Sequence, residues 1–179
     1  MDEDSTRWTV HGTRRVYASD WVNVDLDDVE IPQGPRFEHH VLRFPRASVG
    51  AVVVDSGQVL LLWRHRFATD TSGWEIPAGW SEPDEHATTA VRREVLEETG
   101  YDVRSVEPLT TYHPLSGISS QRYQLFVGTN ARLIKQPDES ESALVQWHPI
   151  RHVSHMLARD EIVDGPSLTA LAYYVATCS

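Results

Sequence analysis

Three glutamates, Glu94, Glu97 and Glu98, stand at i, i+3 and i+4 within GWSEPDEHATTAVRREVLEETGY, residues 79–101. On a helix that spacing makes their carboxylates neighbours on one face. Three ionised groups about 5.5 Å apart repel by roughly 3 kcal/mol per pair at an effective dielectric of about 20, and partial burial adds a desolvation cost. The ordinary fate of such a run is a solvated acidic face. Here, stepping about 100° per residue places Ala90, Val91 and Val95 in one arc, with Glu94 and Glu98 inside it and Glu97 at its edge. Thr88, Thr89, Arg92 and Thr99 fall opposite. Carboxylates on the apolar side are tolerated when a cation sits among them. Hard oxygen donors converging from one helix suit Mg²⁺ or Mn²⁺. Arg93, immediately before the cluster, can pair with the carboxylates and fix their rotamers.

The elements that must hold these groups follow from local signals. Ser81 with Asp84 three residues on, Pro83 in the first turn and Gly100 as a left-handed cap predict a helix of about four and a half turns. The preceding GWEIPAGWSEP cannot be helical because of Pro77 and Gly79, so a loop carries its backbone carbonyls to the helix edge. VGAVVVD and QVLLLWRHR, separated by Ser56-Gly57, read as an apolar hairpin in the middle of a sheet. The sheet continues through VRSVEPLTTYH, RYQLFVGT and ALVQWHPI, and two amphipathic helical stretches close the chain. The first forty-odd residues read as short antiparallel strands ending near Pro45. The expected organisation is a β subdomain over 1–45 and a larger domain over 46–179, with a mixed sheet carrying helices on its faces.

Residues 79–101 resemble the signature of the Nudix hydrolases: glycine, five residues, glutamate, seven residues, then Arg-Glu-apolar-any-Glu-Glu-any-Gly-apolar. Gly79, Glu85, Arg93, Glu94, Glu97, Glu98 and Gly100 occupy its places, Val95 fills the first apolar slot, and Tyr101 is aromatic at the last. The resemblance implies a Nudix-type α/β/α sandwich with a mixed sheet, plus the small N-terminal antiparallel β subdomain. It also implies metal-dependent hydrolysis of a nucleoside diphosphate linked to another moiety. Under it Glu94, Glu97 and Glu98 are metal ligands, Arg93 orients them, and Glu85 supports from the first turn.

The flanking VLLLWRHRFATDTSGWEIPAGWSEPDE looks like the ADP-ribose pyrophosphatase branch. By that likeness the Ala78 carbonyl joins the metal shell, Arg66 reaches the phosphates or ribose of the substrate, and Glu75 lines the pocket. The branch commonly swaps its N-terminal domain across a homodimer and binds adenine near the interface, so a homodimer is expected, with Trp21 a candidate to stack on the base. One departure stands out. Where the branch often carries a proline and then a glutamate on the loop facing the metals, this chain has Ser116 and Gln121. Glutamine is no base near neutral pH. By likeness to the branch the base comes instead from PDESES, with Glu139 the first choice and Glu141 the second.

A formal net charge of −10 repels phosphate backbones and argues against nucleic acid as a large-area partner, while leaving room for a small phosphorylated ligand around a bound cation. The single cysteine, Cys178, excludes a disulfide framework and a cysteine metal site. The acidic, polar start and the lack of any apolar run of about 18 residues give the expectation of a cytoplasmic protein with no membrane partner. The chain shows no nucleophile elbow, Walker loop or paired-histidine zinc motif, so direct attack by water is the simplest chemistry. Two other functions share the signature: housecleaning hydrolysis of nucleoside triphosphates, and a non-catalytic nucleotide-sugar sensor. The intact charged positions favour an enzyme over the sensor.

Overall fold

The computed structural model describes residues 5–137 and 144–178. By internal contacts the chain forms two compact units, one comprising Met1–Arg46 with His113–Gln121, the other Ala47–Tyr112 with Arg122–Ser179.

The first unit is a three-stranded antiparallel sheet of β1 (Thr9–Tyr17), β2 (Asn23–Glu30) and β3 (Arg36–Arg43), in that order. The turn between β2 and β3 closes with Gly34 N–H donating to Ile31 C=O at 2.9 Å, Gln33 taking a left-handed φ of 57°. His113–Gln121 lies beside β3, where Leu42 N–H donates to Ile118 C=O and Ser120 N–H to Leu42 C=O. The middle strand buries two acids, Asp25 and Asp27. Both guanidinium groups of Arg15 and Arg43 close over them: Arg15 Nε donates to Asp25 at 2.7 Å, and Arg43 donates to Asp25 at 2.9 Å and to Asp27 at 2.7 Å. Strand register explains the pairing, since Arg15 is directly opposite Asp25 and the alternation of β3 places Arg43 on the same face.

The second unit is built on a seven-stranded sheet. Its main path runs β10 (Leu144–Pro149), β5 (Gln58–Arg66), β4 (Ser48–Asp55), β9 (Tyr123–Leu133), β8 (Tyr101–Tyr112), with β6 (Thr71–Glu75) on β5 and β7 (Ala78–Trp80) on β4. The β4–β9 pair is parallel and the other pairs are antiparallel, so the sheet is mixed.

Alternation along β4 and β5 feeds two cores. Val49, Ala51, Val53 and Leu60 pack on one face against Ala90, Val91 and Val95 of α1 (Ala87–Thr99). Val52, Leu61, Ile76 and Leu125 pack on the other face against α2 (Val153–Ala158) and α3 (Gly165–Thr177). The result is the α/β/α sandwich. Among the described residues no helix is long and apolar enough to cross a membrane.

Two local expectations change. GWEIPAGW is not a simple loop: β6 ends at Glu75, and β7 resumes at Ala78 as a partner of β4. Pro77 has no N–H for a ladder, yet its carbonyl accepts from Ala51 N–H at 3.0 Å. The signature helix starts at Ala87 rather than just after Ser81. Pro83 and Asp84, the latter at φ 63°, make residues 82–85 a tight turn closed by Glu85 N–H donating to Glu82 C=O at 3.1 Å. His86 then caps the helix, its side chain accepting from Thr88 N–H.

Candidate functional site

The turn before α1 brings Glu85 back over the helix, where its carboxylate accepts from Glu82 N–H at 2.9 Å. Arg93, two turns into the signature, meets it there. Nε and Nη2 of Arg93 donate to Glu85 at 3.2 and 2.9 Å, Nη1 to Glu94 at 2.8 Å and Glu97 at 3.0 Å, and Nη2 also to the Trp80 carbonyl at 2.8 Å. With five N–H groups in a planar fork, the guanidinium has a partner for each. Its hydrogen bond to Glu85, with those to Glu94 and Glu97, drives its own pKa further up, and the same pairing holds Glu85 below the usual carboxylate range.

The three signature glutamates differ in depth. Glu98 is 3% exposed, the Glu94 side chain 13% and the Glu97 side chain 49%. Helix phase sets this order, because Glu94 and Glu98 lie along the arc of Ala90, Val91 and Val95 whereas Glu97 lies at its margin.

The two deeper carboxylates converge on β7. Glu98 Oε2 accepts from Ala78 N–H at 2.9 Å, and the Glu94 carboxylate lies so close to Gly79 that a Cβ there would stand 2.5 Å from Oε1. Gly79 is therefore required by close approach rather than by its backbone angle. At the other end of α1, Gly100 takes φ 77°, donates to Leu96 C=O, and accepts from both Ile134 and Lys135 N–H. Both signature glycines thus have a steric or conformational reason.

Strand β5 adds basic residues on the same side. Arg64 Nη2 donates to Glu98 Oε1 at 2.7 Å, and Arg66 makes a two-pronged contact with Glu75 at 2.9 and 2.5 Å. Glu75 is buried opposite Leu62 in the β5–β6 register, so it shares the face of Arg64 and Arg66. Burial pushes both carboxyls up. Glu98 reaches about 7, with the charge and hydrogen bond of Arg64 working against the rise, and Glu75 is raised by burial against the opposing hydrogen bond from Arg66.

The strand-to-strand kink is anchored from the far side. Ile76 N–H donates to Ser167 Oγ at 3.0 Å, and Ser167 Oγ donates in turn to Asp164, the N-cap of α3. The contact from α3 and the pairing of β7 with β4 together position Ala78 and Gly79, which meet the carboxylates.

Among the described residues, no three acidic, histidine or cysteine side chains are gathered into a ready-made cation cage. The carboxylates close on guanidinium groups instead. Their chemistry still fits a hard divalent cation. Two largely buried carboxylates reach one short strand, Gly79 leaves a cradle that the Glu94 carboxylate fills, and the half-exposed Glu97 has rotamer freedom to join them.

The structure thus gathers Arg93, Glu94, Glu97, Glu98, Glu85 and Ala78, with Glu75 and Arg66 on the neighbouring β5–β6 pair. Ala78 meets Glu98 through its N–H. Trp21 belongs to the first unit, where it is 63% exposed with the Arg46 guanidinium 5.6 Å from its ring centroid. Glu139 and Glu141 lie outside the described residues. Arg64, Asp164 and Ser167 escaped sequence reasoning. For Arg64 a signal existed, because alternation along QVLLLWRHR places it on the face of Arg66; no local pattern marks Ser167 or Asp164.

The NUDIX domain profile matches residues 44–171. The chain is 34% identical over 168 residues to the CMP-5'-(N-acetyl-N-hydroxy-3-aminopropyl)phosphonate hydrolase of Streptomyces rubellomurinus, covering 93% of this chain and 82% of that protein. It is 22% identical to the ADP-ribose pyrophosphatase of Bacillus subtilis, over 89% of this chain and 88% of the relative. In fold it is similar to a crystal structure of an ADP compounds hydrolase, with a TM-score of 0.83 at 19% identity, covering 95% of this chain and 93% of that one.

Proposed function

This chain belongs to the Nudix hydrolase family, and on that premise we propose that it cleaves, with a divalent cation, the diphosphate of ADP-ribose or a related nucleoside diphosphate sugar. The products are a nucleoside monophosphate and a sugar phosphate. The observation that carries the reading is the convergence of the Glu94 and Glu98 carboxylates on β7 while a single arginine, Arg93, braces Glu85, Glu94 and Glu97.

In this reading Glu94, Glu97, Glu98 and the Ala78 carbonyl hold Mg²⁺ or Mn²⁺. The cation, when bound, supplies Lewis-acid polarisation of the diphosphate oxygens. Arg93 orients the carboxylates, and Glu85 in turn fixes Arg93. Arg66, 45% exposed and held in place by Glu75, presents its guanidinium to the phosphates or ribose. Water attacks one phosphorus, a P–O bond forms as the bridging P–O bond breaks, and the water proton passes to a carboxylate. Glu139 is the first candidate for that carboxylate and Glu141 the second, since Gln121 cannot take a proton near neutral pH.

Trp21 supplies a face for the base. Exposed apolar side chains on the first unit, Trp8, Val10, Val16, Tyr17 and Phe37, support a homodimer. The acidic net charge supports a small-molecule substrate over nucleic acid.

A second substrate reading is favoured by the 34% identity to a CMP-linked phosphonate hydrolase. In it the group leaving the nucleotide is a phosphonate rather than a sugar phosphate. Ser116 and Gln121, where the ADP-ribose branch often carries proline and glutamate, fit a changed substrate.

Incubation of the purified protein with Mg²⁺ or Mn²⁺ and a panel of ADP-ribose, other nucleotide sugars and nucleotidyl phosphonates, with products resolved by chromatography, tests both. AMP with ribose phosphate is the expected outcome, and CMP from the phosphonate substrate alone would select the second reading. Faster release of pyrophosphate from a nucleoside triphosphate would replace both, and no nucleoside monophosphate from any substrate would remove them.

A further inference from the structure

Resting on the proposed metal-dependent reading, we propose that Arg64 is a positioning residue that serves as the resident counter-cation of Glu98 and is exchanged for the divalent metal during loading. Arg64 is separated from Glu98 by 34 residues of sequence, yet its Nη2 donates to Glu98 Oε1 at 2.7 Å. The pair is deeply placed, the Arg64 side chain 12% and the Glu98 side chain 4% exposed. The remaining oxygen, Oε2, accepts from Ala78 N–H. Each oxygen of Glu98 therefore already accepts a hydrogen bond from the protein itself, and a hard cation approaching Oε1 competes with the guanidinium for that oxygen's charge and lone pairs. Glu94 is situated differently, since Arg93 stays bound to Glu85 and Trp80 whichever way Glu94 turns.

Two physical consequences follow. Without metal, Glu98 is not left as an isolated buried anion, an arrangement whose desolvation proteins avoid. With metal, the guanidinium gives up its contact with Glu98, so cation affinity is set by a competition rather than by the carboxylates alone. An anionic substrate offers the released group a new partner, which couples metal uptake to substrate binding by ordinary linkage.

The test is calorimetric titration of Mn²⁺ into the parent protein, Arg64→Gln and Arg66→Gln, with thermal melts of each across the same Mn²⁺ range. Arg66→Gln removes the same charge from the same strand face while leaving the Glu98 contact intact. Exchange predicts that metal-free Arg64→Gln melts below the parent. It also predicts Mn²⁺ affinity raised on the order of tenfold in Arg64→Gln, the worth of one charge-assisted hydrogen bond, with a correspondingly larger thermal shift. Arg66→Gln should gain less than about threefold.

Unchanged or weaker Mn²⁺ binding by Arg64→Gln overturns the exchange and makes Arg64 a plain brace of Glu98. An equal gain in Arg66→Gln also overturns it, because the effect is then long-range charge. Failure of the parent to bind Mn²⁺ defeats both this inference and the metal-dependent reading, whereas binding by the parent with no gain in Arg64→Gln defeats the inference alone. Should Arg64→Gln not fold, Arg64→Lys keeps the charge but weakens the planar contact. A modest gain in affinity is then expected, and none refutes the exchange.

Discussion

Gly79→Ala separates a steric demand of the site from a demand of the fold. The backbone at Gly79 requires no left-handed conformation, so alanine fits the strand itself. Its Cβ would nevertheless stand 2.5 Å from Glu94 Oε1 and closer still to the carboxyl carbon, against an ordinary contact of about 3.5 Å. The Glu94 carboxylate must therefore retreat by about 1 Å or more. It sits at the end of a flexible side chain, so it can. The retreat breaks its 2.8 Å hydrogen bond from Arg93. Arg93 is 28% exposed and keeps its other partners, which puts the folding cost near 1 kcal/mol, below the roughly 1.5–3 kcal/mol of a charged hydrogen bond that is lost outright.

For a chain of this length that lowers the melting temperature by about 2–4 °C. Chemistry suffers more, since a 1 Å misplacement of a catalytic group costs on the order of 10²-fold in rate. The assay combines a thermal melt, Mn²⁺ titration and product formation from the best substrate. Parent-like turnover in Gly79→Ala would refute the steric assignment. A loss of more than about 10 °C would show that the glycine serves the backbone instead.

Glu98→Gln removes the charge that Arg64 and a cation compete for. Turnover should fall by about two to three orders of magnitude while the circular dichroism spectrum stays parent-like, and turnover within tenfold of the parent would exclude Glu98 from the metal shell. Arg93→Ala leaves Glu85, Glu94 and Glu97 without their shared partner. A stability loss of about 2–3 kcal/mol in urea titrations is expected, together with weakened Mn²⁺ binding, and a change in one without the other would argue against a common brace.

Hydrogen bonds from Arg15 and Arg43 hold the carboxyls of Asp25 and Asp27 below their ordinary value. A folded pKa lower than the unfolded value of about 3.9 contributes stability that is complete above that pH and is lost as pH falls through the folded value. Acid melts of the parent should steepen below about pH 4 and those of an Asp25→Asn, Asp27→Asn variant should flatten, superimposable profiles being the contrary result.

Much of the site was written in short-range spacing. The phase of Ala90, Val91 and Val95 against Glu94, Glu97 and Glu98 is a property of one helix, and the structure leaves Glu97 the shallowest of the three glutamates as expected, but Thr99, expected on the opposite face, is buried at the helix end with its hydroxyl donating to the Val95 carbonyl. Gly100 likewise ends the helix because only a residue content at positive φ fits there. The helix start was misjudged for an equally local reason. Ser81 with Asp84 has the look of a cap, but Pro83 and Asp84 prefer the tight turn that delivers Glu85 to Arg93.

Sequence by itself determined the periodicities, namely which glutamates lie on the apolar side of α1, which strands alternate, and where glycine and proline interrupt them. Those are decided within a few residues, where backbone geometry leaves little choice. The pairings Arg64 with Glu98, Arg66 with Glu75, and Arg15 and Arg43 with Asp25 and Asp27 were decided by tertiary structure. In each of these pairs sheet register or helix docking sets the partner, and charge alone does not distinguish it from the many other acids of this acidic chain. The same holds for the fastening of Ile76 by Ser167, a contact spanning 91 residues that exists because α3 packs on the sheet face opposite α1.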